Sequence, residues 1–188
     1  MKWTAVIPLK GGERKTRLAA HFSAEQRREL THCMFDHVRS VLQACPEIAV
    51  LGVLAEAPPC GWTGPHFDDQ RRGLNVELAA VAMLIGARPM LVVHADLPLL
   101  DRTDICVLLA QASRTGCAIA PDRADVGTNA VALVDPSGYA FQFGPGSKAR
   151  HLRQRQTRLV RRLGLAHDID MLDDLQEAWR ITSGAFTW

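Results

Sequence analysis

Apolar positions along the chain fall into short continuous runs that alternate with stretches in which they recur every three or four residues. The continuous runs predict buried strands at residues 3–9, 48–54, 90–94, 117–120 and 130–134. The stretches of helical spacing predict helices at residues 23–45, 75–85, 103–113, 147–163 and 172–181. Because strands alternate with helices from the start of the chain, the pattern predicts an α/β fold with a mostly parallel sheet flanked by helices.

Two short motifs add a helix start and a turn to this prediction. Ser23 and Gln26 are three residues apart and fit a capping box, in which each side chain satisfies a backbone N–H of the first helical turn. Residues 135–138 read Asp-Pro-Ser-Gly and predict a turn, so the strand at 130–134 is expected to form a hairpin with residues 139–143.

Composition narrows the class of protein. With 188 residues, 47% of them hydrophobic and 22% charged, the chain is expected to fold as one domain over residues 1–188, and a disordered chain is excluded. A formal net charge of +2 does not indicate a nucleic-acid or membrane protein. The five cysteines form no C-x-x-C pair, and no signal peptide or membrane span is found, so a cytoplasmic protein is expected.

A basic, glycine-bearing loop follows the first predicted strand. It contains Lys10, Lys15 and Arg17, with Gly11 and Gly12 between them. An open α/β sheet binds ligands at the carboxyl ends of its strands, where lysine, arginine and backbone N–H groups can hold phosphates. The loop matches neither the Walker A motif nor the G-x-G-x-x-G motif, so a solvated basic turn is the alternative interpretation.

Three aspartates are candidate ligands of a metal ion. Asp96 lies two residues after the end of the strand at 90–94. Asp168 and Asp170 are two residues apart, so their side chains share one side if the segment is extended. Mg²⁺ prefers carboxylate oxygen ligands of this kind. The alternative for Asp96 is a turn or a helix cap.

Two blocks of small and hydroxyl-bearing residues suit a compact anion: Gly-Thr-Asn at 127–129 and Phe-Gly-Pro-Gly-Ser at 143–147. Ser147 can equally be a plain helix cap. Asn75, at the end of a Gly-Leu-Asn segment, is a candidate contact for a base or ribose, and an ordinary turn fits as well. Residues 148–162 hold seven basic residues, no acid and no aromatic residue, which favours a solvated helix beside an anion site over an RNA-binding surface.

Taken in order, several blocks of the chain resemble one protein family over nearly its whole length. They are PLKGGERKTRL near the start, GLN at 73–75, ADLPLL at 95–100, GTNAVAL at 127–133, FGPGSKARH at 143–151 and DIDMLDDL at 168–175. This order resembles the 2-phospho-L-lactate guanylyltransferase family of coenzyme F420 biosynthesis, also called CofC or FbiD. The resemblance implies a Rossmann-like nucleotidyltransferase fold.

The resemblance also implies an activity: transfer of GMP from GTP to a small phosphorylated three-carbon acid, with release of pyrophosphate. The acid would be 2-phospho-L-lactate, phosphoenolpyruvate or 3-phospho-D-glycerate. The implied residues are Asp96, Asp168 and Asp170 for Mg²⁺, Lys10, Lys15, Arg17 and Asn75 for the nucleotide, and Lys10, Thr128, Gly144 and Ser147 for the acid. Lys10, Lys15, Arg17 and Asp96 would serve catalysis.

Two alternatives remain at the level of sequence. One is another nucleotidyltransferase of the same fold, acting on a molybdopterin or a sugar phosphate; the other is a non-catalytic module that binds anions. Partner hypotheses include GTP and the acid, a homodimer, and hand-over of the product to the next enzyme of the F420 pathway. Neither nucleic acid nor a membrane is expected as a partner.

Overall fold

The computed structural model describes residues 1–9 and 15–184. Its seven strands form one sheet in the order β3-β2-β1-β4-β6-β5-β7. The strands are β1 (Trp3–Pro8), β2 (Ile48–Ala55), β3 (His66–Asp68), β4 (Met90–Val93), β5 (Cys117–Ala120), β6 (Ala130–Leu133) and β7 (Arg158–Leu159). All neighbouring pairs are parallel except those made by β6, which runs antiparallel to both β4 and β5. The predicted α/β fold with a mostly parallel sheet is therefore confirmed.

Six helices flank this sheet, in addition to a short 3-10 helix at Thr16–Leu18. They are α1 (Ala24–Gln43), α2 (Leu74–Ile85), α3 (Arg102–Thr115), α4 (Ser147–Leu152), α5 (Leu163–Ala166) and α6 (Leu172–Ile181). The capping box predicted from Ser23 and Gln26 is present at the start of α1. No helix within residues 1–9 and 15–184 is long and apolar enough to cross a membrane.

The central strands carry apolar side chains toward both faces, and a separate core lies on each. Ala5 and Ile7 of β1 point to the face covered by α1 and α3, while Val6 between them points to the face covered by α2. Continuous apolar runs of this kind are typical of strands that are buried on both faces.

The reversed direction of β6 determines which residues meet at one edge of the sheet. Val93, the last residue of β4, pairs with Ala130, the first residue of β6. The turn after β4 and the residues just before β6 therefore lie side by side, which places Asp96 and residues 127–129 at the same edge.

The predicted hairpin of residues 130–134 with 139–143 is wrong. Residues 139–143 form no strand, although the rings of Tyr139, Phe141 and Phe143 are buried against the sheet. Three of their backbone N–H groups donate to side chains instead of to a neighbouring strand: Ala140 to Gln154 Oε1, Gln142 to His151 Nε2 and Phe143 to Asn75 Oδ1. Side-chain acceptors from other segments thus replace the strand pairing that the turn at 135–138 predicted.

The predicted helix at 147–163 is also wrong, because the segment contains α4, a turn, β7 and then α5. Two of its basic side chains bind main-chain carbonyls: Arg150 donates to Pro145 and Gln142, and Arg155 donates to Asp135 and Ser137. These two arginines fix the 135–145 segment, while Lys148, Arg161 and Arg162 form ion pairs with aspartates of other segments.

Gly164, at the start of α5, brings the last part of the chain against the turn that follows β4. A Cβ atom at this position would lie 2.8 Å from Leu100 Cα and would also overlap the Leu99 carbonyl oxygen and the Asp104 carboxylate. Only glycine permits this approach of two backbones. It positions residues 165–170 beside Asp96, where Ile169 N–H donates to the Asp96 carbonyl oxygen at 3.2 Å.

We expect Gly164→Ala to lower the free energy of unfolding by about 3 kcal/mol, because overpacking against backbone atoms is hard to relieve. Gly116→Ala is the matched control: its Cβ would meet nothing within 4 Å, and only its left-handed backbone is strained, at a cost of about 1–2 kcal/mol. Denaturant unfolding of both variants measures the difference. Equal losses would contradict the close approach at Gly164.

Candidate active site

Three carboxylates converge at the edge of the sheet. Asp96 lies in the turn after β4, and Asp168 and Asp170 flank the buried Ile169, so both of their side chains face Asp96. One oxygen from each of the three lies within 4.8 Å of the others. The structure thus brings together the three acids that the sequence singled out, and their role as metal ligands stays a prediction.

Two basic residues from the region after β1 bind this cluster. Lys15 Nζ lies 2.6 Å from Asp96 Oδ2 and 3.2 Å from Asp170 Oδ1, and its side chain is only 9% exposed. Arg17 Nη1 donates to Asp170 Oδ2 at 3.0 Å. Lys15 has a left-handed backbone with φ of 52°, which is uncommon outside glycine and costs energy that surrounding contacts must offset.

Lys10, which the resemblance assigned to both substrates, lies outside the described residues. Its assignment stays a prediction.

Asn129 supports the acidic cluster from the residue just before β6. Its side-chain amide donates to Asp168 Oδ1 at 3.1 Å and to the carbonyl oxygen of Leu165 at 3.1 Å. The side chain is buried, so these bonds fix the Asp168 carboxylate in one orientation. Sequence reasoning included Asn129 in an anion-binding block and missed this role.

A second support holds Asp170. Asp174 Oδ2 accepts from the backbone N–H groups of Asp170 and Met171, while its Oδ1 accepts from Arg123 Nη2 at 2.6 Å. Asp174 is buried and caps the loop that carries Asp170, a role that was not predicted from the sequence. Its spacing of three from Met171 fits a helix-capping pattern, which is the signal that could have identified it.

Charge around the cluster shifts the pKa values of its members in opposite directions. Burial alone would raise the pKa of Asp96, but the adjacent Lys15 ammonium, with a smaller contribution from His94, lowers it below its ordinary value. Burial alone would lower the pKa of Lys15, and contact with Asp96 and Asp170 raises it. The pKa of Asp168 is raised, first by burial and then by repulsion from Asp96 and Asp170.

The cluster fits a hard divalent cation. Asp96 Oδ1 is buried and has no hydrogen-bond partner within the described part of the chain, and an unsatisfied buried carboxylate oxygen is costly unless a cation or water contacts it. Three carboxylates within 4.8 Å also repel one another, and Lys15 and Arg17 supply the nearby positive charge. Oxygen ligands in this number suit Mg²⁺ better than a softer metal.

A second group of polar residues lies beside the cluster, on the segments before β6 and at the start of α4. Thr128 and Ser147 are almost fully buried, and Ser147 Oγ has no hydrogen-bond partner among residues 1–9 and 15–184. Lys148 N–H donates to the Val126 carbonyl oxygen, which joins the two segments. Gly144 has φ of 116°, a backbone conformation that requires glycine and turns the chain toward Ser147.

Asn75 holds the neighbouring loop. Its side chain accepts from Phe143 N–H at 2.7 Å and donates to the Phe143 carbonyl oxygen at 3.1 Å. The structure therefore places Asn75 beside the 143–147 block, and its proposed contact with the nucleotide stays a prediction.

The strand order, the carboxylates at the strand ends and the basic residues after β1 define a protein of the nucleotidyltransferase class. The chain matches a family described as "Guanylyl transferase CofC like" over residues 3–181. It is 36% identical to a phosphoenolpyruvate guanylyltransferase of Sphaerobacter thermophilus, covering 94% of this chain and 92% of that protein. The same name is carried by a protein of Rubrobacter xylanophilus that is 37% identical, with coverage of 91% and 90%.

Solved structures agree on the fold. The 2-C-methyl-D-erythritol 4-phosphate cytidylyltransferase of Thermus thermophilus superposes with a TM-score of 0.59, covering 97% of this chain and 100% of that one at 15% identity. The chain belongs to the CofC-like guanylyl transferase family. It is accordingly a guanylyltransferase that uses GTP as a substrate, and the family places it in coenzyme F420 biosynthesis.

The raised pKa of Asp168 makes a prediction about stability. When a carboxyl has a higher pKa in the folded than in the unfolded state, its ionisation lowers the free energy of unfolding of the protein. This loss is absent below about pH 3.9, grows as the pH rises, and is complete above the pKa of the folded state. Asp168→Asn removes the charge but keeps an oxygen for Asn129. In metal-free buffer we expect this variant to melt at a higher temperature than the parent at pH 7.

The gain in melting temperature should shrink as the pH falls through the raised pKa of Asp168, and it should be absent below about pH 3.9, where the unfolded chain is protonated as well. Asp173→Asn, an exposed acid on the same segment, is the control and should give no gain. Thermal unfolding followed by circular dichroism at both pH values distinguishes the two variants, and an Asp168→Asn variant that is less stable at pH 7 would contradict the charge repulsion.

Proposed function

We propose that this chain transfers GMP from GTP to phosphoenolpyruvate and releases pyrophosphate. In this reaction a phosphate oxygen of the acid bonds to the α-phosphorus, and the bond between the α- and β-phosphates breaks. The observation that carries the proposal is the cluster of Asp96, Asp168 and Asp170 with Lys15 at the edge of the sheet. The names of the relatives from Sphaerobacter and Rubrobacter support phosphoenolpyruvate as the acid.

The acidic cluster would hold Mg²⁺ through Asp96, Asp168 and Asp170. When bound, the ion would offset negative charge on the phosphates that react. Asn129 keeps Asp168 in place for this role, and the loop capped by Asp174 keeps Asp170 in place.

Lys15 and Arg17 would bind the triphosphate. Both reach the acidic cluster from the segment after β1, so their positive charges lie where a nucleotide held by the carboxylates would carry its phosphates. Charge-assisted hydrogen bonds from these side chains would also stabilise pyrophosphate as it leaves. Lys10 is proposed for the same contacts on the basis of the family motif alone.

The acid would bind at the second group of polar residues. Thr128 and Ser147 can donate hydroxyl hydrogen bonds to its phosphate or carboxylate, and Gly144 allows the backbone to approach. Thr128 is adjacent to Asn129, whose side chain contacts Asp168, so the acid would lie next to the cluster that holds the nucleotide. This proximity would orient the two anions for reaction.

The test is turnover with purified protein, GTP and Mg²⁺, with each of phosphoenolpyruvate, 2-phospho-L-lactate and 3-phospho-D-glycerate in turn. Pyrophosphate release and the mass of the guanylylated product are measured. We expect phosphoenolpyruvate to give the highest kcat/KM. A higher value for either other acid would overturn the choice of substrate, and no turnover with any of them would overturn the proposed reaction.

In the same assay Asp96→Asn should lower kcat at least about a hundredfold, the loss expected when a main electrostatic contact to the reacting phosphates is removed. Asp173→Asn again serves as the control and should keep the parental rate, since Asp173 is exposed and outside the cluster. A rate near that of the parent for Asp96→Asn would refute the role given to this carboxylate.

A further inference from the structure

His151 is completely buried beside the group of residues assigned to the acid. Its ring stacks on Tyr139 with centroids 5.8 Å apart and meets Phe143 edge-on at 5.1 Å. Both ring nitrogens are engaged: Gln142 N–H donates to Nε2 at 2.9 Å, and Nδ1 lies 3.2 Å from Thr128 Oγ1. Aromatic packing and two hydrogen bonds therefore fix the ring in one orientation.

These contacts determine where the proton of the ring lies. A backbone N–H can only donate, so Nε2 must accept the bond from Gln142, and the neutral ring carries its proton on Nδ1. Burial first, and then the charges of Arg150 and His94, lower the pKa of His151 to about 4, so the ring is neutral at physiological pH. Nδ1–H therefore donates to the Thr128 hydroxyl oxygen.

This donation controls the direction of the Thr128 hydroxyl. Since one lone pair of Oγ1 accepts from His151, the hydroxyl proton points away from the ring and is free to donate elsewhere. Ser147 lies four residues before His151, hence on the same face of α4, and its buried Oγ has no partner in the described ranges. Two buried hydroxyls on adjacent segments thus offer protons to an anionic ligand.

We propose that His151 is a positioning residue for the acid, and that its Nδ1–H orients the Thr128 hydroxyl as a donor to the anionic oxygens of that substrate. The inference rests on the proposed function, because it assumes that the acid binds at Thr128. A role as general base does not fit, since Gln142 N–H occupies Nε2 and Thr128 occupies Nδ1.

Two amide substitutions separate this role from simple support of the loop. The amide of asparagine can reach the position of Nδ1, so His151→Asn keeps a donor for Thr128 and loses the contact with Gln142. Glutamine reaches the position of Nε2, so His151→Gln keeps the contact with Gln142 and loses the donor. We expect His151→Gln to raise KM for the acid about tenfold, the effect of one hydrogen bond to a charged group, and to leave KM for GTP within about twofold.

We expect His151→Asn to raise KM for the acid less than His151→Gln does. If His151→Asn raised this KM more than His151→Gln, the role of His151 would be purely structural and the proposal would be overturned. Thermal unfolding checks that both variants are folded. In a Thr128→Val background, His151→Gln should change KM for the acid by less than about twofold, because its effect passes through the hydroxyl. If His151→Gln raised KM for the acid by the same factor with and without Thr128→Val, the proposal would likewise be overturned.

The position of the proton can be measured without turnover. Nitrogen-15 NMR of the parent protein labelled at histidine should show His151 protonated at Nδ1 between about pH 6 and 8. Protonation at Nε2 would overturn the inference while leaving the proposed function untouched. If none of the three acids is a substrate, the proposed function fails and the contact with the acid falls with it, whatever the NMR result.

Discussion

Mutual repulsion among Asp96, Asp168 and Asp170 is the constraint on which the arrangement of this site depends. Three carboxylates do not gather at the edge of a sheet unless other contacts hold them there. The close approach at Gly164 and the burial of Ile169 anchor the segment that carries two of them, and the positive charges of Lys15 and Arg17 offset part of the repulsion. Asp168, whose pKa is raised by burial and by the two other carboxylates, is the member of the cluster whose charge costs stability.

The elements that the sequence predicted well are those set by local rules. The turn after β4 puts Asp96 at the strand end, and alternation in an extended segment puts Asp168 and Asp170 on one side of Ile169. Residues 139–143 do not form the predicted strand because their backbone N–H groups donate to Gln154, His151 and Asn75, which are 9 to 68 residues away and cannot be identified from a local pattern. Tertiary contacts decided their conformation.

His151 is a second case in which contacts between distant segments determine what the sequence does not reveal. His151 is buried and packed against two aromatic rings. What composition and spacing could not reveal is that its two nitrogens bind partners 9 and 23 residues away, Gln142 and Thr128. The chemical state of a buried imidazole is a property of its neighbours, and those neighbours are known only from the fold.

The pairing of β4 with β6 has a consequence for how the sequence can vary by insertion and deletion. Thr128 and Asn129 precede Ala130, whose register with Val93 is fixed by buried side chains on both strands. Moving β6 by one residue would send each of its side chains to the opposite face, and the two residues that directly precede it would lose their contacts with Asp168 and His151. An insertion or deletion between Thr128 and the strand is therefore expected to disrupt both the acidic cluster and the group of residues assigned to the acid.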